Sequence, residues 1–564
     1  MTKIGLMMLI YKLAFAVALC AATDVGQRVI LPPVARADST TAIRDERFPP
    51  LLDATLEDLA SGLESGLFTS VDLVNAYIAR ILEVNDTLKA VTELNPDALS
   101  IAAEADDSRA RGEVAGPLHG IPILLKNNIA TDDGMSNTAG SYALLGAKVP
   151  RDSTVAAKLR KAGAVILGKT NLSQWANYRS SYSSSSNGWS AYGGQTEGAY
   201  YPQQDPSGSS SGSGVASSLG LAFASLGTET DGSITGPSES NNLVGIKPTV
   251  GLTSRYLVVP ISERQDTVGP MARTVKDAAY VLAAISGPDP RDNYTSSIPF
   301  YSLPDYVKAC DLSALQGKRV GVPRNMINPA EYVEPMVAAF NESLDIFRAA
   351  GAEVVDDIRL EGWDLLVSNA TLNNILPADF VINIAQYFDQ LTVNPHNIAS
   401  LPDLQSFTQG FELEAWPDRD TATWERALEL GVDNTSPEFW PIYSTAYYYA
   451  GELGITGALR NMSLDAIIVP SMSASHLPAI IGAPIVTVPL GKMPENTTVI
   501  RNGRGDLNTI APNIPFGISF LGEHYSEERL IGMAYAFEQL TMARKKVAPY
   551  IQPTTELGSV VETR

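Results

Sequence analysis

Two serine-rich, glycine-rich stretches lie close together in the sequence and could supply a serine nucleophile. The first reads GSSSGSG over 208–214, and the second reads TETDGSITG over 228–236. Glycine allows backbone N–H groups to crowd a reacting oxygen, so such stretches often surround catalytic serines. A serine hydroxyl is a weak nucleophile, however, and needs a base to take its proton. None of the four histidines lies in either stretch, so the base must come from elsewhere.

Two short patterns match motifs of other enzyme classes. GSSSG at 208–212 fits the nucleophile elbow with Ser210 as the nucleophile, but an elbow follows a strand, and the preceding YYPQQDPS is polar and turn-forming. We keep this elbow as an alternative, beside a flexible Gly/Ser linker. GAVILGKT at 163–170 fits a phosphate-binding loop, but its four intervening residues are apolar and typical of a strand. Nucleotide binding therefore has little support.

The composition is that of a large, acidic, apolar-rich chain. Its 564 residues are 45 % hydrophobic and 18 % charged, which is enough to bury a sizeable core. A net charge of −21 argues against nucleic acid and anionic lipid as partners. The only two cysteines, Cys20 and Cys310, exclude a disulfide framework and a cysteine-rich zinc site.

The N-terminus has the pattern of a secretory signal peptide. Lys3 and Lys12 precede an apolar run over 13–22 that is too short for a spanning helix. We predict that residues 1–22 are cleaved and the protein is secreted, with a retained membrane anchor as the alternative. Eight N-x-S/T sequons agree with a secreted glycoprotein. Their asparagines are Asn85, Asn171, Asn293, Asn341, Asn369, Asn434, Asn461 and Asn496.

Hydrophobic periodicity divides the remaining chain into helical and strand-like parts. Residues 53–115 are predicted to be helical, and Ser70 is the predicted cap of the helix SVDLVNAYIARILEV. From 116 to about 285, short apolar runs alternate with Gly, Ser and Pro, which is typical of buried strands joined by loops. Strand and helix patterns alternate again near the C-terminus. This mixture predicts an α/β layered domain.

Residues 361–450 lack strand rhythm and are rich in aromatic side chains. We interpret them as an elaboration over the core. Their aromatic residues either line a peptide-binding cleft or pack as core beneath a long insertion. These residues are Trp363, Trp416, Trp424, Trp440 and the run 447–449.

Three segments together resemble the amidase signature family: GPLHGIPILLKNNI, SGSSSGSGVASS and SLGTETDGSITGPS. GKTNLSQWAN, LVGIKPTVGLTSR and QDTVGPMARTVKDAA extend the resemblance, which runs from about residue 53 to 550. Within the family the chain looks closest to peptide amidases, which release ammonia from C-terminal peptide amides. The GTETDGSI variant and ELNPDAL at 93–99 favour that branch.

The resemblance implies an α/β fold with one large layered domain, in which helices cover both faces of a mixed β-sheet core. On this basis the amidase domain spans 53–552, with a signature core at about 116–285 and the elaborated segment at about 361–450. A 23–52 extension precedes the domain, and a 553–564 tail follows it.

By motif position, the resemblance implies a Ser–cisSer–Lys triad. Ser233 is then the nucleophile, Ser209 the bridging serine on a cis peptide, and Lys126 the base. The family requires no metal and no cofactor. The implied oxyanion hole consists of the backbone N–H groups of Thr230, Asp231, Gly232 and Ser233.

The chemistry of lysine agrees with this role for Lys126. A lysine acts as a base only when it is neutral, and burial lowers its pKa by disfavouring the charged form. Lys126 follows the apolar run IPILL, which predicts a position at the end of a buried strand. From the local sequence alone, a surface lysine or a salt-bridged lysine remains the alternative.

Two departures from the family pattern bear on the substrate. Asp231-Gly232 stands where many members have Gly-Gly, so a side chain at 231 narrows the pocket unless it points away. Thr235 stands where many members carry an arginine that binds an acidic substrate. Small carboxylated substrates and the glutamyl-tRNA amidotransferase role are therefore disfavoured.

The predicted function is that of a secreted amidase that hydrolyses peptide amides or related small amides. The expected partner is the small-molecule or peptide amide substrate, with no stable membrane association, and the oligomeric state stays open. Alternatives are a fatty-acid-amide hydrolase or esterase with the same triad, an esterase that uses Ser210, and a non-catalytic binding protein.

Overall fold

The structure, a computed structural model, describes residues 47–327, 330 and 333–561, so the predicted signal peptide lies outside the described residues. The strands of this part are β1 (Val91–Leu94), β2 (Pro122–Lys126), β3 (Val165–Thr170), β4 (Trp189–Ser190), β5 (Gly194–Gln195), β6 (Ala224–Glu229), β7 (Val244–Lys247), β8 (Thr267–Ala272), β9 (Arg319–Pro323), β10 (Glu353–Ile358), β11 (Ala466–Pro470), β12 (Ile485–Lys492), β13 (Ile500–Arg501), β14 (Asn508–Ile510) and β15 (Pro515–Leu521).

The α-helices surround these strands and also form most of the segment 361–450. They are α1 (Leu56–Glu64), α2 (Ser70–Leu88), α3 (Ala98–Ala110), α4 (Thr154–Lys161), α5 (Ser211–Ser218), α6 (Thr235–Ser240), α7 (Val275–Ile285), α8 (Glu334–Ala349), α9 (Glu361–Val367), α10 (Ile375–Phe388), α11 (Leu401–Gly410), α12 (Ala422–Glu429), α13 (Phe439–Ala450), α14 (Ile455–Asn461), α15 (His476–Ile481), α16 (Glu527–Thr541) and α17 (Leu557–Val561).

Eleven strands form one mixed sheet, in the order β1-β3-β2-β6-β8-β7-β12-β15-β11-β9-β10. β2 runs parallel to both β3 and β6, and β9 runs parallel to both β10 and β11. The other neighbours in this sheet are antiparallel. β4 with β5 and β13 with β14 form two small separate ribbons. The predicted α/β class with a mixed sheet is confirmed.

Apolar side chains pack on both faces of this sheet, as alternation along its strands shows. In β11, Ala466 and Ile468 belong to the largest hydrophobic cluster, whereas Ile467 and Val469 belong to a second, separate cluster. Successive strand residues point to opposite faces, so the two clusters occupy opposite sides of the sheet. Helices must therefore cover both faces, because an apolar face left in water would not be stable.

The predicted helical region 53–115 differs in detail from the structure. It contains the short strand β1, which joins the edge of the sheet beside β3. The cap of α2 is Thr69, not Ser70, and its hydroxyl accepts from the N–H of Asp72. Leu82 of this helix is 53 % exposed and does not face the core. A neighbouring stripe that includes Leu73 and Tyr77 packs into the core instead, and both side chains are fully buried.

None of the described helices is by itself long and apolar enough to cross a membrane. The two helical segments Glu361–Val367 and Ala370–Phe388 together have the length and apolar composition of a span, but they are bent by 72° where they meet.

The aromatic residues of 361–450 divide between core and surface. Trp424 is fully buried, and its ring lies edge-on to that of Trp175 with the ring centroids 6.1 Å apart. Trp424 is therefore a core residue. Trp416 and Trp440 are 44 % and 51 % exposed. Trp363 is half-buried and lies edge-on to the ring of His476. Packing against distant residues decided these outcomes, and spacing along the chain did not indicate them.

We expect Trp424→Ala to lower the free energy of unfolding by about 3–5 kcal/mol, because it removes a large buried ring and leaves a cavity. The matched change Trp416→Ala should cost under about 0.5 kcal/mol, since that ring is half exposed. Urea denaturation followed by far-UV circular dichroism measures both values. Equal losses for the two variants would contradict this assignment of core and surface.

Candidate active site

Lys126 is the last residue of β2, and its amine is fully buried. The Nζ atom lies 2.8 Å from Ser209 Oγ, 2.8 Å from Thr228 Oγ1 and 3.0 Å from Ser210 Oγ. These three partners are neutral hydroxyls, which stabilise an ammonium less than a carboxylate does. Burial lowers the pKa of Lys126 well below its usual 10.5, and the charges of Asp266 and Glu229 oppose this only in part.

Ser209 connects this lysine to the glycine-rich segment before α5. The Gly208–Ser209 peptide bond is cis, and the Ser209 side chain is fully buried. A Cβ atom on Gly208 would stand 2.5 Å from Ser173 Oγ and 2.6 Å from Asn187 Oδ1, so a larger residue there would require these side chains to move. The backbone oxygen of Ser209 accepts from the N–H of Ser173 at 3.1 Å. The close approach at Gly208 and the backbone bond to Ser173 therefore fix the backbone that carries the Ser209 hydroxyl to the amine.

Ser233 lies on the loop between β6 and α6, and its backbone oxygen accepts from the N–H of Ser210 at 3.2 Å. Ser233 is 8 % exposed, whereas Ser209 and Ser210 are fully buried. The structure thus brings the loop of Ser233 beside the Lys126–Ser209 pair and leaves Ser233 the most accessible of the three serines.

Ser210 lacks the surroundings that a nucleophile elbow requires. The residues before it form turns and irregular chain, and α5 begins immediately after it. Its hydroxyl donates to the Thr228 carbonyl at 3.0 Å and accepts from the Thr228 N–H at 3.2 Å. With these bonds and no exposure, Ser210 is a structural link between α5 and β6.

The loop 230–233 presents a row of unpaired backbone donors. Within the described residues, its four N–H groups have no acceptor, whereas the N–H groups of Ile234 and Thr235 bond to Glu229 Oε2 at 2.7 and 2.8 Å. Gly232 has a φ of +85°, a value that favours glycine, so the chain turns within this row of donors. Converging N–H groups of this kind can stabilise an oxyanion. The loop consists of the predicted oxyanion-hole residues Thr230, Asp231, Gly232 and Ser233.

Two buried acids that the sequence analysis missed hold this loop. Burial raises the pKa of Glu229, although Lys247 and the N–H groups of Ile234 and Thr235 oppose the shift. Asp266 Oδ1 accepts from Thr230 Oγ1 at 2.6 Å, and burial raises the pKa of Asp266 to about 6. A carboxylate at the end of an apolar strand was the available signal for Glu229, while Asp266 approaches the loop only in the fold.

The side chain of Asp231 points toward the surface and pairs with a histidine. Asp231 Oδ2 lies 2.8 Å from His476 Nδ1, and the two side chains are 29 % and 39 % exposed. Burial acts to raise the pKa of Asp231, but its hydrogen bonds to His476 and Ser475 and the positive charge nearby outweigh burial and lower it. The hydrogen bond to Asp231 raises the pKa of His476 against the effect of burial.

A cavity of about 170 Å³ adjoins the loop at Thr228 and Thr230. It lies between the segment 255–261 and helix α10, which contributes side chains at its C-terminal end. Its walls combine apolar surface with amide, phenol and charged groups, so the cavity offers both hydrogen-bonding and apolar contacts to a ligand. The amide and phenol groups include Asn128, Tyr256, Asn383, Gln386, Tyr387 and Gln390.

The phosphate-loop match and an RGD sequence at 504–506 are structural. Residues 165–170 form β3, and Lys169 Nζ is buried against Asn137 Oδ1 at 2.9 Å, with a pKa that burial lowers to about 8. Arg504 Nε lies 3.3 Å from Asp506 Oδ2, and its Nη2 lies 2.6 Å from Asp418 Oδ2. Neither motif is therefore arranged for a ligand.

Sequence and structure similarity place the molecule in one family. The family model described as Amidase matches residues 72–531. The chain belongs to the amidase family. A protein of Arthroderma benhamiae whose name places it among the amidases is 54 % identical over 534 residues, covering 91 % of this chain and 90 % of its own.

Two solved structures extend the similarity of this amidase to peptide amidases. Native peptide amidase from Stenotrophomonas maltophilia has a TM-score of 0.78 at 37 % identity, covering 89 % of this chain and 99 % of its own. The peptide amidase PAM in complex with the competitive inhibitor chymostatin has a TM-score of 0.78 at 38 % identity, covering 88 % and 99 %. The predicted family, its fold and the enzyme class of amidase are confirmed.

Proposed function

We propose that this amidase hydrolyses C-terminal amides of peptides, or related small carboxylic amides, to an acid and ammonia through a serine acyl-enzyme. The observation that carries the proposal is the 2.8 Å contact between the buried Lys126 amine and Ser209 Oγ, beside the loop of Ser233. A lysine of lowered pKa can accept a proton, Ser209 can relay one, and the unpaired N–H groups can hold an oxyanion.

The proposed reaction begins when Ser233 Oγ bonds to the amide carbon. Its proton passes to Ser209 Oγ, and the proton of Ser209 passes to Lys126 Nζ. The N–H groups of the loop 230–233 stabilise the negative oxygen of the tetrahedral intermediate. The C–N bond breaks as the nitrogen takes the proton back through Ser209, and ammonia leaves. Water then adds to the acyl-enzyme, which releases the acid and restores the Ser233 hydroxyl.

Two features beside the loop, and one of the similar structures, support a peptide amide as the substrate. The cavity beside Thr230 offers amide groups that can pair with a peptide backbone. Thr235 is buried and its hydroxyl lies 3.4 Å from Glu229 Oε1, so this position provides no cation for a carboxylated substrate. The similarity to a peptide amidase in complex with chymostatin also supports a peptide-like substrate.

We expect the purified protein to release ammonia from peptide amides faster than it releases ammonia from fatty amides or cleaves esters. Ser233→Ala should abolish turnover while the fold is retained, because the acyl-enzyme cannot form. A serine-directed covalent probe with peptide mapping should label Ser233. Ser210→Ala serves as the matched serine control and should keep Ser233 labelled. Labelling of Ser210 with Ser233 untouched would favour the elbow alternative, and a preference for fatty amides would favour the lipid alternative.

The rate should fall as the pH drops through the lowered pKa of Lys126, because only its neutral form accepts the proton. Above that pKa the amine is deprotonated, so activity is retained on the alkaline side. Lys126→Met should reduce kcat by about 10²–10⁴-fold. Lys126→Arg should recover little, since a guanidinium does not lose its proton in this range. A kcat/KM profile that stays flat from alkaline to acidic pH would contradict this role for Lys126.

We also propose that the protein is secreted and glycosylated. The N-terminal pattern supports cleavage near residue 22, and the folded domain presents several sequons to solvent. Asn171 is buried, with its amide nitrogen 3.0 Å from Thr196 Oγ1, and Asn434 is buried against Asp379 at 2.9 Å. A glycan on either would break these contacts. The exposed sequon asparagines are Asn293, Asn341, Asn461 and Asn496.

Expression of the full chain in a eukaryotic host should place the mature protein in the medium without its first twenty or so residues. Glycopeptide mapping should find glycans among the four exposed sequons and none at Asn171 or Asn434. N-terminal sequencing and mass spectrometry measure both outcomes. Protein in the membrane fraction with Met1 intact would instead support the anchor.

A further inference from the structure

The loop 230–233 is held firmly at its two ends by buried acids. Thr230 Oγ1 bonds to Asp266 at one end, and Glu229 Oε2 accepts from the N–H of Ile234 at the other. These bonds leave the middle of the loop, Asp231 and Gly232, to be held by other contacts. Because the unpaired N–H groups belong to this stretch, its conformation decides where they point.

The start of α15 covers the middle of the loop. His476 Nδ1 lies 2.8 Å from Asp231 Oδ2, and the side chain of Ser475, the preceding residue, also hydrogen-bonds to Asp231. Ser475 Oγ would lie 3.3 Å from a Cβ atom on Gly232, so the same turn also closes over the glycine. Trp363 of α9 lies edge-on to the imidazole, with ring centroids 6.2 Å apart and planes at 83°.

The chemistry of the pair suits a role in orienting the loop. The carboxylate favours the imidazole form with a proton on Nδ1, and both the neutral and the charged ring can donate that proton. An unpaired carboxylate two residues from Ser233 would disfavour negative charge at a nearby oxyanion. A donor on Asp231 therefore orients the loop and offsets this negative charge.

We propose that His476 is a positioning residue for the amidase reaction, acting through Asp231 on the N–H groups of the loop 230–233. This proposal rests on the proposed function, because it assumes that these groups bind the oxyanion. The role differs from that of a base, since His476 exchanges no proton with substrate. It also accounts for the side chain at position 231, whose carboxylate pairs with the histidine.

Two near-isosteric variants test the proposal without opening a cavity. The amide nitrogen of His476→Asn can take the place of Nδ1, whereas that of His476→Gln reaches the place of Nε2. We expect His476→Asn to keep kcat within about 5-fold of the parent and His476→Gln to lower it by about 10–100-fold, because misplaced oxyanion donors weaken transition-state binding. KM should change by less than about 3-fold in both, since the loop acts on the transition state.

A double-mutant cycle with Asp231→Ala provides the second measurement. If His476 acts only through Asp231, the double variant Asp231→Ala/His476→Gln should be no slower than the slower single variant. His396→Ala is the remote control, since that exposed ring contacts Phe407 of α11 at a tilt of 41° and none of the loop residues, and its kcat should be unchanged. Melting temperatures of all variants report whether the fold is kept.

Equal kcat values for the Asn and Gln variants, whether both high or both low, would overturn the proposal. A rise in KM at constant kcat would also overturn it, because the pair would then bind substrate directly. Multiplicative losses in the cycle would show that His476 acts independently of Asp231. Ser233→Ala distinguishes a failure of this proposal from a failure of the proposed function. If Ser233→Ala retains turnover, the serine mechanism is wrong. If Ser233→Ala is inactive and the His476 variants keep the parent kcat, only the positioning role is wrong.

Discussion

The burial of the Lys126 amine is the constraint on which the rest of the site depends. Removing a charged ammonium from water is costly unless the charge is paired, so a buried lysine surrounded by hydroxyls is driven toward its neutral form. Each of its close side-chain partners, Ser209, Ser210 and Thr228, is a neutral oxygen. A single carboxylate among them would favour the ammonium and remove the base. The packing of β2 between β3 and β6 maintains this condition.

The parallel strands β3, β2 and β6 explain why the parts of the site meet. β2 and β6 run parallel, so their C-terminal ends emerge at the same edge. β2 ends at Lys126, and β6 ends at Glu229 immediately before the loop 230–233. Crevices at the carboxyl ends of parallel strands are the usual ligand sites of α/β proteins. Ser209, in the segment immediately before α5, then contacts the Lys126 amine.

The loop shows how buried acids can order a backbone without occupying its donors. Glu229 takes the N–H groups of Ile234 and Thr235, and Asp266 takes the hydroxyl of Thr230. The four intervening N–H groups stay unpaired within the part of the chain that the structure describes. An anion-binding row of this kind requires external anchors, because unpaired donors do not hold one conformation by themselves. Asp231 adds a further anchor that reaches the surface.

By itself the sequence determined the α/β class, the apolar strands around Lys126 and, through the family resemblance, the candidate residues of the site, whose roles stay a prediction. Short apolar runs and glycine-rich loops are local signals, so they could be predicted from neighbouring residues. Only the tertiary structure decided that Trp424 is core, that Leu82 is exposed and that Ser210 links α5 to β6. It also decided that His476 meets Asp231, 245 positions away in the chain. Such pairings arise when distant elements pack against the same edge of the sheet, and no local pattern carries that information.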